Sequence, residues 1–179
     1  MYNQIVKNKK EKSGSHRHHK PAAQDVLCAL PTLFLNNQLC FALYSASLAM
    51  TKVYRPLLTD TGITYPQYIV LLALWQTDGL TVSMLGLKVA LDSGTLTPLL
   101  KRMEKACLID RRRNPADERE VVISLTSSGR TMYAAASAIE TDVRVATAMS
   151  SDAARKLTRV LSRLRSSLLA HTAVTNADK

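Results

Sequence analysis

The stretch from Thr81 to Thr126 limits most sharply how this chain can fold, because three kinds of patterning follow one another in it without a gap. Leu85, Val89 and Leu91 read as the inward side of a short helix that begins at Thr81. Asp92-Ser-Gly-Thr then opens a second helix, with Asp92 placed to accept from backbone N–H groups two or three residues on. Leu96, Leu99, Leu100 and Met103 share its core face, and Thr95, Pro98, Lys101 and Arg102 lie toward the other side. Pro98 cannot donate to a helical ladder, so it is expected near a helix N-terminus. After this helix, Ile109–Arg113 and Val121–Leu125 alternate like two strands, joined by Asn-Pro-Ala-Asp-Glu.

Helical periodicity fills the remainder. Leu35, Leu39, Leu43, Ala46, Met50, Val53 and Leu57 mark a helix over 35–58, ended by Arg55-Pro56 and the Thr59–Gly62 cluster. Pro66 suits the first turn of the next helix, where Tyr68, Leu71, Leu72 and Trp75 define a buried face and Asp78-Gly79 the close. Thr126-Ser-Ser-Gly starts a long helix to about Met149. A last one begins at Ser150, with Leu157, Val160, Leu161, Leu164 and Leu168 as its apolar stripe. The expected class is mainly α with a small β-wing: a winged helix-turn-helix, with a dimer formed by the N- and C-terminal helices. The expected divisions are a disordered basic tail over 1–24, an N-terminal segment and first dimerisation helix over 25–61, and the winged region over 62–126. Dimerisation helices over 127–170 and a disordered tail over 171–179 complete the chain.

The charge balance points to a polyanion. Net charge is +10, of which +5 lies in residues 1–24, and the rest clusters at 101–119. In a helix-turn-helix, the first turns of the second helix reach base edges. Ser93, Thr95, Thr97 and Pro98 are therefore expected at double-stranded DNA, with Lys101 and Arg102 further along that helix. Arg111, Arg112 and Arg113 give successive cations on one strand, and Arg119 returns on the other, two positions after Asp117. A carboxylate at the tip can steady an arginine for the narrow minor groove, or the two form only a surface ion pair.

No apolar run approaches the roughly 20 residues of a membrane span, and no signal-peptide pattern follows Met1, so a cytoplasmic location and no membrane partner are expected. No catalytic set, metal-ligand spacing or phosphate loop appears, so no enzyme, metal or cofactor is expected. Cys28, Cys40 and Cys107 cannot all pair within one chain, and free thiols in a reducing compartment fit best. Cys40 lies in Leu-Cys-Phe-Ala-Leu-Tyr-Ser-Ala, with Tyr44 one turn on. It is either a small core residue or a reactive thiol whose thiolate is stabilised by phenol donors. Tyr54 is about 21 Å along the axis of the same helix, so it could serve Cys40 only from another chain.

Four stretches resemble the MarR family of winged-helix repressors, and within it the organic hydroperoxide resistance regulators. They are Leu39-Cys-Phe-Ala-Leu-Tyr-Ser-Ala, Leu58-Thr-Asp-Thr-Gly-Ile-Thr-Tyr-Pro-Gln-Tyr, Leu91-Asp-Ser-Gly-Thr-Leu-Thr-Pro-Leu-Leu-Lys-Arg-Met-Glu and Arg111-Arg-Arg-Asn-Pro-Ala-Asp-Glu-Arg. The resemblance implies a homodimer that binds a pseudo-palindromic operator when reduced and leaves it when organic hydroperoxide oxidises the cysteine matched by Cys40. It implies that Tyr54 and Tyr65 of the facing subunit donate to that thiol. Some members use a second cysteine in the C-terminal helices. This chain has no cysteine after Cys107, so a small thiol, or Cys28, is expected to complete the switch. Cys107 stands where a glycine or small residue normally leads into the wing, and is expected to be structural. Two other readings are a MarR-type repressor released by a phenolic or aromatic ligand, and a cysteine peroxidase.

Overall fold

The computed structural model describes residues 33–177 of the chain. The basic tail over 1–24, the segment at Val26–Leu30, Cys28 and the last two residues lie outside the described residues. The chain divides into two units, residues 1–46 and 47–179. In the first, a 3-10 turn over Leu35–Asn37 precedes α1 (Leu39–Thr59). The expected helix start at Leu35 is thus corrected by one extended residue, Gln38 at φ −89° and ψ 118°.

In the second unit α1 carries Pro56 inside the helix rather than at its end. Proline removes one ladder bond there, yet the next turn holds because Leu58, 1% exposed, is anchored in the core. Helix α2 (Tyr65–Gln76) begins where the Thr64 N–H and hydroxyl both donate to the Gln67 side-chain oxygen, at 2.8 and 3.0 Å. It is the central helix, meeting α3 (Val82–Val89), α4 (Ser93–Lys105) and α5 (Ser127–Ala146), so Val70, Leu71, Ala73 and Leu74 are buried together. One buried stripe was too simple an expectation for a helix covered on several sides: Leu72 is exposed and Trp75 half-buried.

Leu80–Thr81 is a strand, β1, that the pattern did not predict; Thr81 then caps α3 by accepting from the Met84 N–H at 3.2 Å. Strands β2 (Ile109–Asn114) and β3 (Asp117–Leu125) complete an antiparallel sheet in the order β1-β3-β2. Leu80 faces Ile123, and Arg112 faces Val122. Pairing extends to Asn114 against Asp117 with an irregularity after Arg113, so the wing turns on Pro115-Ala116 rather than on a five-residue loop. Pro98 sits in the second turn of α4, deeper than expected. The helix persists because Leu96, Leu99, Leu100 and Met103 are all buried on the opposite side.

Helix α6 runs Ser151–Ala177, which corrects the expected unstructured tail from 171. Residues 171–177 contain neither glycine nor proline, and nothing in them stops a helix already propagating. Leu157, Val160, Leu161, Leu168 and Leu169 on α6 are exposed. Among the described residues no helix is long and apolar enough to cross a membrane.

Candidate nucleic-acid interface and thiol site

The N-terminus of α4 is held by Asp92. Its carboxylate accepts from the Thr95 N–H at 3.0 Å and from the Thr95 hydroxyl at 2.8 Å. Those two bonds, the hydroxyl's first, hold the Asp92 carboxyl below the usual range. The Thr95 proton expected to reach a base edge is therefore engaged in the cap, leaving its oxygen as an acceptor. Ser93, Pro98, Lys101 and Arg102 are exposed on the side of α4 away from the core. Thr97 is half-buried and lines a cleft of about 340 Å³ with Ser83, Arg111 and Arg119.

The three wing cations do different things. Arg111 turns inward to Glu104 on α4 at 3.2 Å, tying the helix to the wing. Its Nε is buried without an acceptor among the described residues. Arg112 is exposed beside Asp110 at 3.9 Å, and Arg113 donates to the Glu118 carbonyl at 3.3 Å. At the tip, the Asp117 carboxylate accepts from the backbone N–H of Arg119 at 3.0 Å, and the Asn114 side chain accepts from the Ala116 N–H at 3.1 Å. No ion pair joins Asp117 to the Arg119 guanidinium among the described residues. Asp117 therefore shapes the turn from which an exposed Arg119 projects.

Cys40 is an exposed free thiol in the first turn of α1, and Tyr44, one turn on, is also exposed. In the second unit Tyr54 and Tyr65 come together, with ring centroids 4.6 Å apart. Tyr68 joins them at 5.4 Å from Tyr54. Burial, then the neighbouring Tyr68 and Tyr65 and the Glu140 carboxylate, push the Tyr54 phenol up to about 12. Burial raises Tyr65 and Tyr68 as well. All three phenols therefore keep their protons to higher pH than an ordinary tyrosine. Tyr68 belongs to this group although its place in the helical pattern marks it only as a core residue, and no spacing signals its approach to Tyr54. Cys107 is exposed, with a left-handed φ of 54°, the conformation for which glycine is suited.

Where α2 meets the wing, two contacts lock the root. The Trp75 indole N–H donates to the Gly129 carbonyl at 2.9 Å. Asp78 accepts from the Leu125 N–H at 2.9 Å and pairs with Arg130 at 2.7 Å. Neither was visible as a motif, because each joins residues about fifty positions apart.

The family described as transcriptional regulator SarA/Rot matches residues 52–135. The HTH-type transcriptional regulator TtmR of Methylorubrum extorquens is 45% identical over 134 residues, covering 75% of this chain and 69% of that protein. The chain belongs to the MarR family of winged helix-turn-helix transcriptional regulators. One of its relatives is an organic hydroperoxide resistance regulator. The regulator of that name in Bacillus subtilis is 59% identical over 95 residues, 53% of this chain and 65% of its own length. The match thus spans just under two thirds of that relative. The structure of reduced AbfR bound to DNA superposes with a TM-score of 0.62 at 33% identity, covering 76% of this chain and 93% of that one.

Proposed function

We propose that this MarR-family chain is a homodimeric repressor that binds pseudo-palindromic operator DNA while Cys40 is reduced and leaves it when organic hydroperoxide oxidises Cys40. The single observation that carries the reading is the paired phenols of Tyr54 and Tyr65, 4.6 Å apart and held protonated, in a chain that presents an exposed thiol. Two such donors suit a thiolate and the peroxide oxygen that it attacks. The thiolate attacks the terminal oxygen of the hydroperoxide, the O–O bond breaks to leave a sulfenic acid, and the alkoxide departs as the alcohol after taking a proton from solvent. A small thiol then condenses with the sulfenic acid, releasing water and forming a mixed disulfide at Cys40. One added oxygen is a small change, and a bulky mixed disulfide perturbs an interface far more. The solved AbfR structures include reduced and overoxidized forms on DNA and a disulfide form.

On the DNA side, Ser93, Thr95, Thr97, Pro98, Lys101 and Arg102 would face the major groove. Arg112 would meet backbone, and Arg119, on the turn shaped by Asp117, the minor groove. The exposed leucines of α6 would be covered by the second copy. The measurement that tests the reading is DNA release by organic hydroperoxide in wild type and Cys40→Ser. The serine protein should bind DNA and stay bound, since a hydroxyl forms no sulfenic acid; release of the serine protein would sink the redox trigger.

One observation favours a second reading. A cleft of about 430 Å³ is lined by Arg55, Leu58, Ile63 and Tyr65, a cation beside apolar and aromatic walls. An aromatic acid held there would release the Cys40→Ser protein as readily as wild type.

A further inference from the structure

We propose that Trp75 is a positioning residue that couples the phenol group to the root of the wing, an inference that rests on the redox reading for its purpose but not for its geometry. The rings form a continuous series: Tyr65 to Tyr54 at 4.6 Å, Tyr54 to Tyr68 at 5.4 Å, and Tyr68 to Trp75 at 6.4 Å, the last pair edge-to-face. All three separations lie in the range of direct aromatic contact. Trp75 passes the series on to Tyr133 of α5 at 5.4 Å, also edge-to-face, and sets its indole N–H on the Gly129 carbonyl at 2.9 Å.

Gly129 is a sensitive place to receive that bond. It lies in the first turn of α5, immediately after β3. It packs so tightly on the Leu108 carbonyl that no side-chain carbon fits between them. Leu108 leads into β2, and its carbonyl also accepts from the Thr126 N–H at 3.2 Å. The Thr126 hydroxyl donates to the Cys107 carbonyl at 2.6 Å. A displacement of Trp75 is therefore passed to the start of β2 and the end of β3 together. Tyr68 and Trp75 also line a cleft of about 230 Å³ with Tyr133 and Glu140, so the shift travels through the indole bond and the close approach of Gly129 to the Leu108 carbonyl, where packing leaves no room to absorb it. The Asp78 clamp holds the same root from the end of α2 without touching the ring series, so the wing stays attached when Trp75 is altered.

Coupling of this kind is tested by a double-mutant cycle rather than by proximity. Amide hydrogen exchange is measured on the reduced full chain over the wing root, residues 121–130, in wild type, Tyr54→Leu, Trp75→Phe and the double variant. Trp75→Phe keeps a ring and removes the donor. Tyr54→Leu should speed root exchange about tenfold in the wild-type background, and by less than about twofold when residue 75 is phenylalanine. Equal effects in both backgrounds, or no effect of Tyr54→Leu, would overturn the coupling.

Trp75 is the chain's single tryptophan, so the unaltered protein supplies a second readout. Its emission should shift when one equivalent of organic hydroperoxide oxidises Cys40. An unchanged emission from protein shown to be oxidised at Cys40 would also overturn the coupling. A wild type that is not oxidised, or that holds DNA when oxidised, sinks the redox reading alone, because the exchange cycle uses neither peroxide nor DNA.

Discussion

Replacing Gly129 by alanine tests the packing that sets the wing on the helical body. The new methyl would overlap the Leu108 carbonyl oxygen and come 3.1 Å from a Leu125 methyl. A backbone carbonyl that is itself hydrogen-bonded cannot swing aside, so the first turn of α5 must lift. Overpacking of this kind costs about 1–3 kcal/mol. Lifting the turn also stretches the Trp75 bond to the Gly129 carbonyl, worth about 1 kcal/mol. Alanine's better helix propensity returns roughly 0.8 kcal/mol. The net loss is about 1–3 kcal/mol, which for a chain of this size lowers Tm by roughly 3–10 °C. Thermal unfolding followed by circular dichroism reads it, with Gly94→Ala as the control. At Gly94 a methyl would meet only the Asp92 side chain, at 3.0 Å. A Gly129→Ala protein that melts with wild type, or no lower than Gly94→Ala, would refute the close approach at the wing root.

Three further outcomes follow from the same geometry. The Tyr54 phenol, raised to about 12, stays protonated when the unfolded chain's tyrosines have ionised. Its contribution to stability is therefore complete below about pH 10 and lost as pH rises toward about 12, and Tyr54→Phe should remove the latest part of the phenolate absorbance titration. Asp92 has the opposite sign: its carboxyl is held low by Thr95, so its contribution is present above about pH 4 and is lost as pH falls through the depressed value. Asp92→Ala should flatten that acid limb in a pH-dependent melting series. Arg119→Ala should weaken DNA binding by about 1–3 kcal/mol in an anisotropy titration, and wild-type affinity should fall steeply with salt; affinity indifferent to both would argue against the wing as a contact.

The helices with one buried side were legible in the sequence. Leu96, Leu99, Leu100 and Met103 are spaced as one side of α4 and are all buried, and Asp92 is the cap its position indicated. The wing was legible from alternation in Ile109–Arg113 and Val121–Leu125. Features made by residues far apart in the chain were not. The two-residue strand Leu80–Thr81 exists because β3 lies beside it, and nothing local distinguishes it from the start of α3. Leu72 could not be told from Leu71, because α2 is covered on several sides and has no single apolar stripe. At the DNA side, residue type was readable but hydrogen-bond assignment was not. Thr95 spends its proton on Asp92, Arg111 turns to Glu104, and Asp117 holds the backbone rather than the guanidinium of Arg119. The pairing of Tyr54 with Tyr65 came from family resemblance, and the addition of Tyr68 came only from the folded chain.

Gating of DNA binding by the oxidation state of Cys40 can be followed on a Cys28→Ser, Cys107→Ser protein bound to a fluorescent duplex selected by the wild type. One equivalent of organic hydroperoxide is added with a small thiol, and anisotropy and intact mass are followed on the same sample. DNA should be released in step with formation of the mixed disulfide at Cys40. Complete modification of Cys40 with DNA still bound, or release while Cys40 remains a free thiol, would contradict such gating.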